Sequence, residues 1–160
     1  MASTITGVSA GQAIMTDKCV VEFFAGNITT SGTYKLVLLN LSLGSLTLGQ
    51  TGTTYWSDMS DSETVGVSAY TKGTGITLTG NNLPSISNHM GALDFDGVSL
   101  DSAEFTTDAY AIVRWVSTTA NSPVLAIGKW DASKSPSGAG SANFTATVVN
   151  PIKITASAAA

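Results

Sequence analysis

The sequence predicts a mainly β protein, an antiparallel β-sandwich or a barrel-like sandwich with one short N-terminal helix. After residue 33, short stretches rich in β-branched and aromatic residues recur at intervals of roughly 10–15 residues, separated by turn residues. One stretch before them has the spacing of a helix. Because the chain has 160 residues, we expect a single domain that covers residues 1–160.

The helix is predicted at about residues 16–25. Thr16 can cap its N-terminus, and Asp17 follows where the helix dipole favours an anion. The spacing i, i+1, i+4, i+5 predicts one apolar face, formed by Cys19, Val20, Phe23 and Phe24. Gly26 ends the helix. A helix this short is marginal alone, so we expect it to lie against the rest of the protein.

The strands follow from apolar runs and from alternation. Tyr34–Leu41 is apolar on both faces, which predicts a strand that is covered on both sides. Residues 53–62 predict a polar loop. Further strands or extended segments are predicted at Thr64–Tyr70, Ile76–Thr79, Pro84–Asn88, Leu93–Leu100, Phe144–Val149 and Ile152–Thr155.

The clearest hairpin lies in the second half of the chain. Tyr110–Val116 and Val124–Trp130 are its strands, and Ser117–Pro123 is the turn. The first strand is predicted to place Tyr110, Ile112, Arg114 and Val116 on one face and Ala111, Val113 and Trp115 on the other. A loop rich in Gly, Ser and Pro follows at residues 132–141, and a small apolar tail ends the chain at residues 156–160.

The composition excludes several classes of protein. Only 11% of the residues are charged, against 43% that are hydrophobic, so the chain does not resemble a disordered protein. The net charge is −4 and the basic residues are scattered, which argues against nucleic-acid binding. No apolar run is long enough to predict a transmembrane helix. A single cysteine and no visible signal peptide favour synthesis in a cytoplasm.

No pattern of catalytic or cofactor-binding residues emerges. His89 is the one histidine, and no nucleophile-elbow sequence accompanies it. Cys19 lies on the predicted apolar helix face and is expected to behave as a small hydrophobe. Gly73-Thr74-Gly75 starts like a dinucleotide-binding loop, but Leu78 stands where the third glycine belongs. We therefore expect neither an enzyme nor a bound cofactor.

An acidic cluster leaves a metal site as an open alternative. Its members are Asp94, Asp96, Asp101, Glu104 and Asp108. The spacing of the first two resembles part of a calcium loop, but further ligands are missing. A glycosidase would also use two carboxylates. A solvated strand edge explains the same pattern, so no metal site is predicted.

Apolar and aromatic residues near the middle of the chain predict an interaction surface. Leucines follow the first long strand, and an aromatic pair lies in the polar loop. Exposed aromatic residues mark contacts with proteins and with sugars. The predicted interface residues are Leu43, Leu46, Leu48, Tyr55 and Trp56. Burial as central core strands is the competing interpretation for the leucines.

An ordered set of short motifs resembles a known family. Its members are Tyr34-Lys35-Leu36, Glu63-Thr64-Val65, Tyr70-Thr71-Lys72-Gly73, Asp94-Phe95-Asp96, Ala103-Glu104-Phe105-Thr106, Pro123-Val124-Leu125 and Phe144-Thr145-Ala146-Thr147. In this order they resemble the small virion structural proteins of tailed bacteriophages, which are head-decoration, head-fibre or tail-associated proteins. The family usually has a Gly-Gly turn where this chain has Gly73-Thr74.

This resemblance implies a non-enzymatic structural role in the virion. We expect a capsid decoration or cement protein, made in the host cytoplasm, that binds the major capsid protein or other virion proteins on the outer surface of the particle. A closed homo-oligomer, a trimer, would suit a site where capsid subunits meet. The alternative is a receptor- or glycan-binding module of a fibre or tail that uses Tyr55, Trp56 and the loops near Tyr70. A hydrolase that uses the acidic cluster is the third hypothesis.

Overall fold

The computed structural model describes residues 2–66, 68–80, 90–93, 95–134, 144–146 and 152–155. Its strands are β1 (Thr4–Ile5), β2 (Ala13–Met15), β3 (Tyr34–Leu39), β4 (Thr47–Leu48), β5 (Ile76–Leu78), β6 (Met90–Leu93), β7 (Val98–Leu100), β8 (Thr107–Arg114), β9 (Val124–Lys134), β10 (Phe144–Ala146) and β11 (Ile152–Thr155). One α-helix, α1 (Asp17–Phe24), and two 3-10 helices, η1 (Trp56–Ser62) and η2 (Thr119–Asn121), complete the described part. The mainly β class and the short N-terminal helix are confirmed.

The largest sheet has five strands in the order β2-β9-β8-β3-β5, and every neighbouring pair is antiparallel. The predicted hairpin is confirmed as its β8–β9 pair. Three two-stranded sheets accompany it: β1 with β4 is parallel, whereas β7 with β10 and β6 with β11 are antiparallel. The described residues form neither a closed barrel nor a second large sheet, so the sandwich stays a prediction.

Both faces of the five-stranded sheet are buried, as the apolar run in β3 predicts. Leu36 and Leu38 belong to one buried cluster, while Val37 and Leu39 belong to the other. The alternation predicted for β8 is also confirmed. Tyr110 and Ile112 lie in the first cluster, and Ala111, Val113 and Trp115 contact the second. The first cluster contains Cys19 of α1, and the second contains Trp56 and Met59 of η1.

Several segments differ from their predicted structures. The predicted strand at Leu93–Leu100 is divided between β6 and β7, and β8 ends at Arg114 instead of at Val116. Residues 53–62 are not a simple loop, because most of them form η1. In the described part of the predicted strand at Thr64–Tyr70, the pairing is a single bridge between Ser68 and Glu104. Ala69 has a φ of 63° there, which an extended strand does not tolerate. Instead of stopping at Trp130, β9 continues through Lys134.

Several predictions fall on residues that the structure does not describe. His89, Asp94 and the segment Pro84–Asn88 lie outside the described residues. The same holds for residues 135–141 of the predicted Gly/Ser/Pro loop, residues 147–149 of the predicted strand, and the tail at 156–160.

Candidate interaction surface

Helix α1 is tied to the large sheet by its N-cap residue, which directly precedes the helix. The Thr16 hydroxyl accepts a hydrogen bond from the Cys19 amide at 3.1 Å, as the predicted N-cap should. The same hydroxyl donates to the carbonyl of Val124, and the Thr16 amide donates to the carbonyl of Leu125 at 2.9 Å. Since both carbonyls belong to β9, the start of the helix is fixed against that strand.

The helix presents its apolar residues to solvent, which corrects the predicted apolar face. Cys19 is buried as expected, but so is Glu22. The exposed fractions are 37% for Val20, 57% for Val21, 47% for Phe23 and 84% for Phe24. We call these four residues the α1 ridge. An ordinary surface helix turns its apolar stripe towards the core, and α1 does the reverse.

A polar network beneath α1 accounts for this orientation. Arg114 on β8 donates to Glu22 Oε2 at 2.5 Å, and Asn27 donates to the same oxygen at 3.0 Å. Lys18 Nζ lies 3.3 Å from Glu22 Oε1. Burial disfavours the ionised Glu22, but hydrogen bonds from Arg114, Asn27 and Lys18 outweigh it and hold the pKa of this carboxyl below its ordinary value. The charged side of the helix therefore faces the sheet.

Lys18 links the helix to the first residue of the predicted aromatic pair. Its ammonium group lies 5.0 Å from the centre of the half-buried Tyr55 ring. Burial lowers the pKa of Lys18, but contacts with Tyr55 and Glu22 outweigh it and leave that pKa above its ordinary value. Tyr55 is thus engaged within the chain.

The predicted interface residues divide into two groups. Leu43, Leu46 and Tyr55 are half-buried and remain at the surface. Leu48 and Trp56 are buried, which removes Trp56 from the predicted interface, whereas Leu48 contributes to the wall of a surface groove. Trp56 donates its indole hydrogen to Glu63 Oε2 at 2.8 Å, and this bond fixes the ring inside the fold.

Glu63 is the centre of a buried network that sequence reasoning did not identify as structural. It is 1% exposed, and besides Trp56 it accepts hydrogen bonds from the Tyr70 hydroxyl at 2.7 Å and the Gly73 amide at 2.8 Å. The Tyr70 hydroxyl accepts from the Leu38 amide at 3.2 Å. Burial, followed by the nearby Glu63 carboxylate, raises the pKa of Tyr70 far above its ordinary value. These satisfied, enclosed groups stabilise the fold.

The predicted acidic cluster is dispersed in the described part of the chain. Asp96, Asp101 and Glu104 are exposed, and Asp108 accepts a hydrogen bond from the Leu41 amide at 2.8 Å. Among the described residues, no group of three or more His, Cys, Asp or Glu side chains could hold a metal ion. Cys19 is buried, and burial, with a smaller effect of Glu22, raises the pKa of its thiol to about 12. The thiol is therefore protonated at neutral pH.

A shallow groove borders the N-terminal end of α1. It has a volume of about 440 Å³ and is lined by residues 6–7, Ile14 and residues 47–52. We call this feature the groove. Ile14 and Leu48 give it apolar walls, and no lining residue is charged. The Gln50 carbonyl accepts a hydrogen bond from the Asp17 amide at 3.0 Å, so the groove and the helix share a border.

Comparisons with family models, with curated proteins and with solved structures found no match to this chain. None of the helices in the described ranges has the length and apolar character that crossing a membrane requires.

Proposed function

We propose that this chain is a non-enzymatic structural protein of a tailed-bacteriophage virion. In this proposal it decorates the capsid from the outside and binds adjacent major-capsid subunits after synthesis in the host cytoplasm. The observation that carries the proposal is the α1 ridge, since an exposed apolar patch on a folded protein marks a surface that another subunit of an assembly covers.

The low charge of the chain supports a role inside an assembly. With 11% charged residues and a net charge of −4, the chain carries little of the electrostatic repulsion that keeps proteins apart. A subunit that contacts several neighbours needs less of this repulsion. The acidic balance favours the outer surface of a capsid over a surface that faces DNA.

The mechanism of such a protein is mechanical. A decoration protein binds the assembled shell and not its separated subunits, and therefore stabilises the assembled state by mass action. Many copies act together, so weak contacts at each site produce strong retention on the particle. The half-buried Leu43 and Leu46 are the residues that we assign to the capsid contact.

The glycan-binding alternative is less well supported. It requires an aromatic platform at the surface, built from Tyr55, Trp56 and the region of Tyr70. Trp56 and Tyr70 are buried and bonded to Glu63, and Tyr55 is half-buried beside Lys18. The described aromatic side chains at this position therefore offer no open stacking face.

Binding to heads of the phage that encodes the chain tests the proposal. The purified chain is added to emptied heads that lack it, and co-sedimentation and the temperature of head disruption are measured. We expect saturable binding and a raised disruption temperature. Leu43→Ser should weaken binding, whereas Val65→Ser, at an exposed apolar residue outside the assigned contact, should not. Absence of head binding, with attachment to host cells or glycans instead, would overturn the proposal.

A further inference from the structure

We propose that the α1 ridge of one copy lies in the groove of a second copy, and that the reciprocal contact forms a two-fold symmetric dimer, in place of the trimer expected from the sequence. This inference deepens the proposed function, because it names the partner that covers the ridge. It rests on the proposed function in one respect, namely that the chain assembles with other protein subunits.

The chemistry of the two surfaces is compatible. The ridge is formed by Val20, Val21, Phe23 and Phe24, whose side chains carry no charge. The groove is lined by threonines, glycines, Gln50, Ile14 and Leu48, so a ridge that enters it leaves no charged group buried without a partner. The volume of about 440 Å³ is enough for the outer part of the ridge, led by Phe24.

The position of the two surfaces favours a reciprocal contact. They meet where the Asp17 amide donates to the Gln50 carbonyl, and α1 is only about 12 Å long. In a two-fold symmetric dimer the same surface patch of each copy forms the interface. Each copy must therefore contribute both a ridge and a groove, and the two must lie next to each other on its surface. The ridge and the groove satisfy this requirement because they share a border.

The area decides between one contact and two. An aromatic side chain buries roughly 150–250 Å² of surface. The exposed fractions of Phe23 and Phe24, together with those of the two valines, therefore correspond to an exposed area of roughly 300–400 Å² for one ridge. One ridge in one groove then buries roughly 700 Å² in total, which is less than a stable interface needs. Two such contacts, related by the two-fold axis, bury roughly 1,400 Å² and reach the standard size.

Substitutions on the ridge and in the groove test whether the dimer forms through these two surfaces. Sedimentation equilibrium of the full chain, from micromolar to millimolar concentration, should show a dimer. Phe24→Ser should weaken it by at least ~100-fold, because each dimer loses two central contacts. Gly52→Leu should do the same by filling the groove, since a Cβ at Gly52 meets no atom within 4 Å and its φ is not positive. Val65→Ser is the matched control and should leave the dimer unchanged.

Cysteine cross-linking tests the position of the contact. Chains with Val21→Cys, which keep the central Phe24, and chains with Gly52→Cys are mixed under mild oxidation, while the native Cys19 stays buried. We expect the mixed disulfide to form at least ~10-fold faster than one between Val21→Cys and Val65→Cys chains, because the dimer raises the effective concentration of the first pair.

The outcomes distinguish this inference from the proposed function. A monomer at all concentrations, a trimer, or a dimer that survives both Phe24→Ser and Gly52→Leu overturns the two-fold contact. If the monomer binds heads or lipid vesicles through Phe24, the ridge has a different partner and the inference fails. A dimer that fails to bind heads supports the inference and overturns the proposed function.

Discussion

Replacing Glu22 by Gln tests the network that holds α1 against the sheet. The change removes the negative charge that accepts hydrogen bonds from Arg114 and Asn27. Hydrogen bonds to charged groups contribute ~1.5–3 kcal/mol, and the Arg114 side chain is 20% exposed, which places the expected loss at about 2 kcal/mol. For a chain of 160 residues this corresponds to a fall in Tm of roughly 4–8 °C.

A double-mutant cycle isolates the ion pair from the other effects of the substitution. Urea unfolding of Glu22→Gln, Arg114→Gln and the double variant should give a coupling free energy of at least ~1.5 kcal/mol. The matched cycle with Lys18→Gln should give only ~0.3–0.5 kcal/mol, because Lys18 and Glu22 form an i,i+4 helix pair at 3.3 Å. If the Arg114 cycle gives no larger coupling than the Lys18 cycle, the network does not anchor the helix.

Three further predictions concern the same region and the sheet beneath it. The pKa of Glu22 is lower in the folded state than in the unfolded state, so the stabilisation from Glu22 is complete above the unfolded pKa of ~4.3 and is lost as the pH falls through the folded pKa. The urea midpoints of the native chain and of Glu22→Gln should therefore converge at low pH. A difference between the midpoints that stays constant with pH would contradict this prediction. Cys19 should react with a thiol reagent at pH 8 only after unfolding, because its thiol is buried and burial raises its pKa to about 12. Rapid labelling of the native chain would contradict this prediction and would show that α1 opens. Gly128→Ala should destabilise the fold by ~1–3 kcal/mol in urea unfolding, because the new Cβ would lie 2.3 Å from Cζ of Tyr110. The control Gly52→Ala should change the stability little, since a Cβ there meets no atom within 4 Å. If the two variants were equally stable, the Tyr110 ring would move aside freely.

The strand pattern could be predicted because alternation is a local property. In β8, Tyr110 and Ile112 lie on one face and Ala111 on the other, as the period of two requires. The β3 strand was predictable for a related reason, since an apolar run on both faces has to be covered twice. The ends of α1 also follow from local chemistry, namely the Thr16 cap and the positive φ of Gly26.

The orientation of α1 could not be predicted, because its partner is distant in the sequence. Glu22 and Arg114 are separated by 92 positions, and periodicity within the helix contains no information about such a pair. The surface position predicted for Trp56 is wrong for a similar reason, since its burial depends on Glu63 entering the core with it. The groove also depends on distant residues, because the two-residue strands β1 and β4 pair in parallel.

The outward orientation of the ridge is held by polar contacts and not by the general tendency to bury apolar surface. Turning α1 by half a turn would bury the exposed 37% of Val20 and 84% of Phe24, and together these would stabilise the fold by roughly 2–4 kcal/mol. The same rotation would separate Glu22 from Arg114 and pull the Thr16 cap from β9, which costs ~1.5–3 and ~1 kcal/mol respectively. The two sets of energies are similar, so the isolated chain gains little from exposing the ridge. A second copy that covers Val20 and Phe24 adds the burial without breaking the polar contacts, and this difference favours the ridge as an assembly surface.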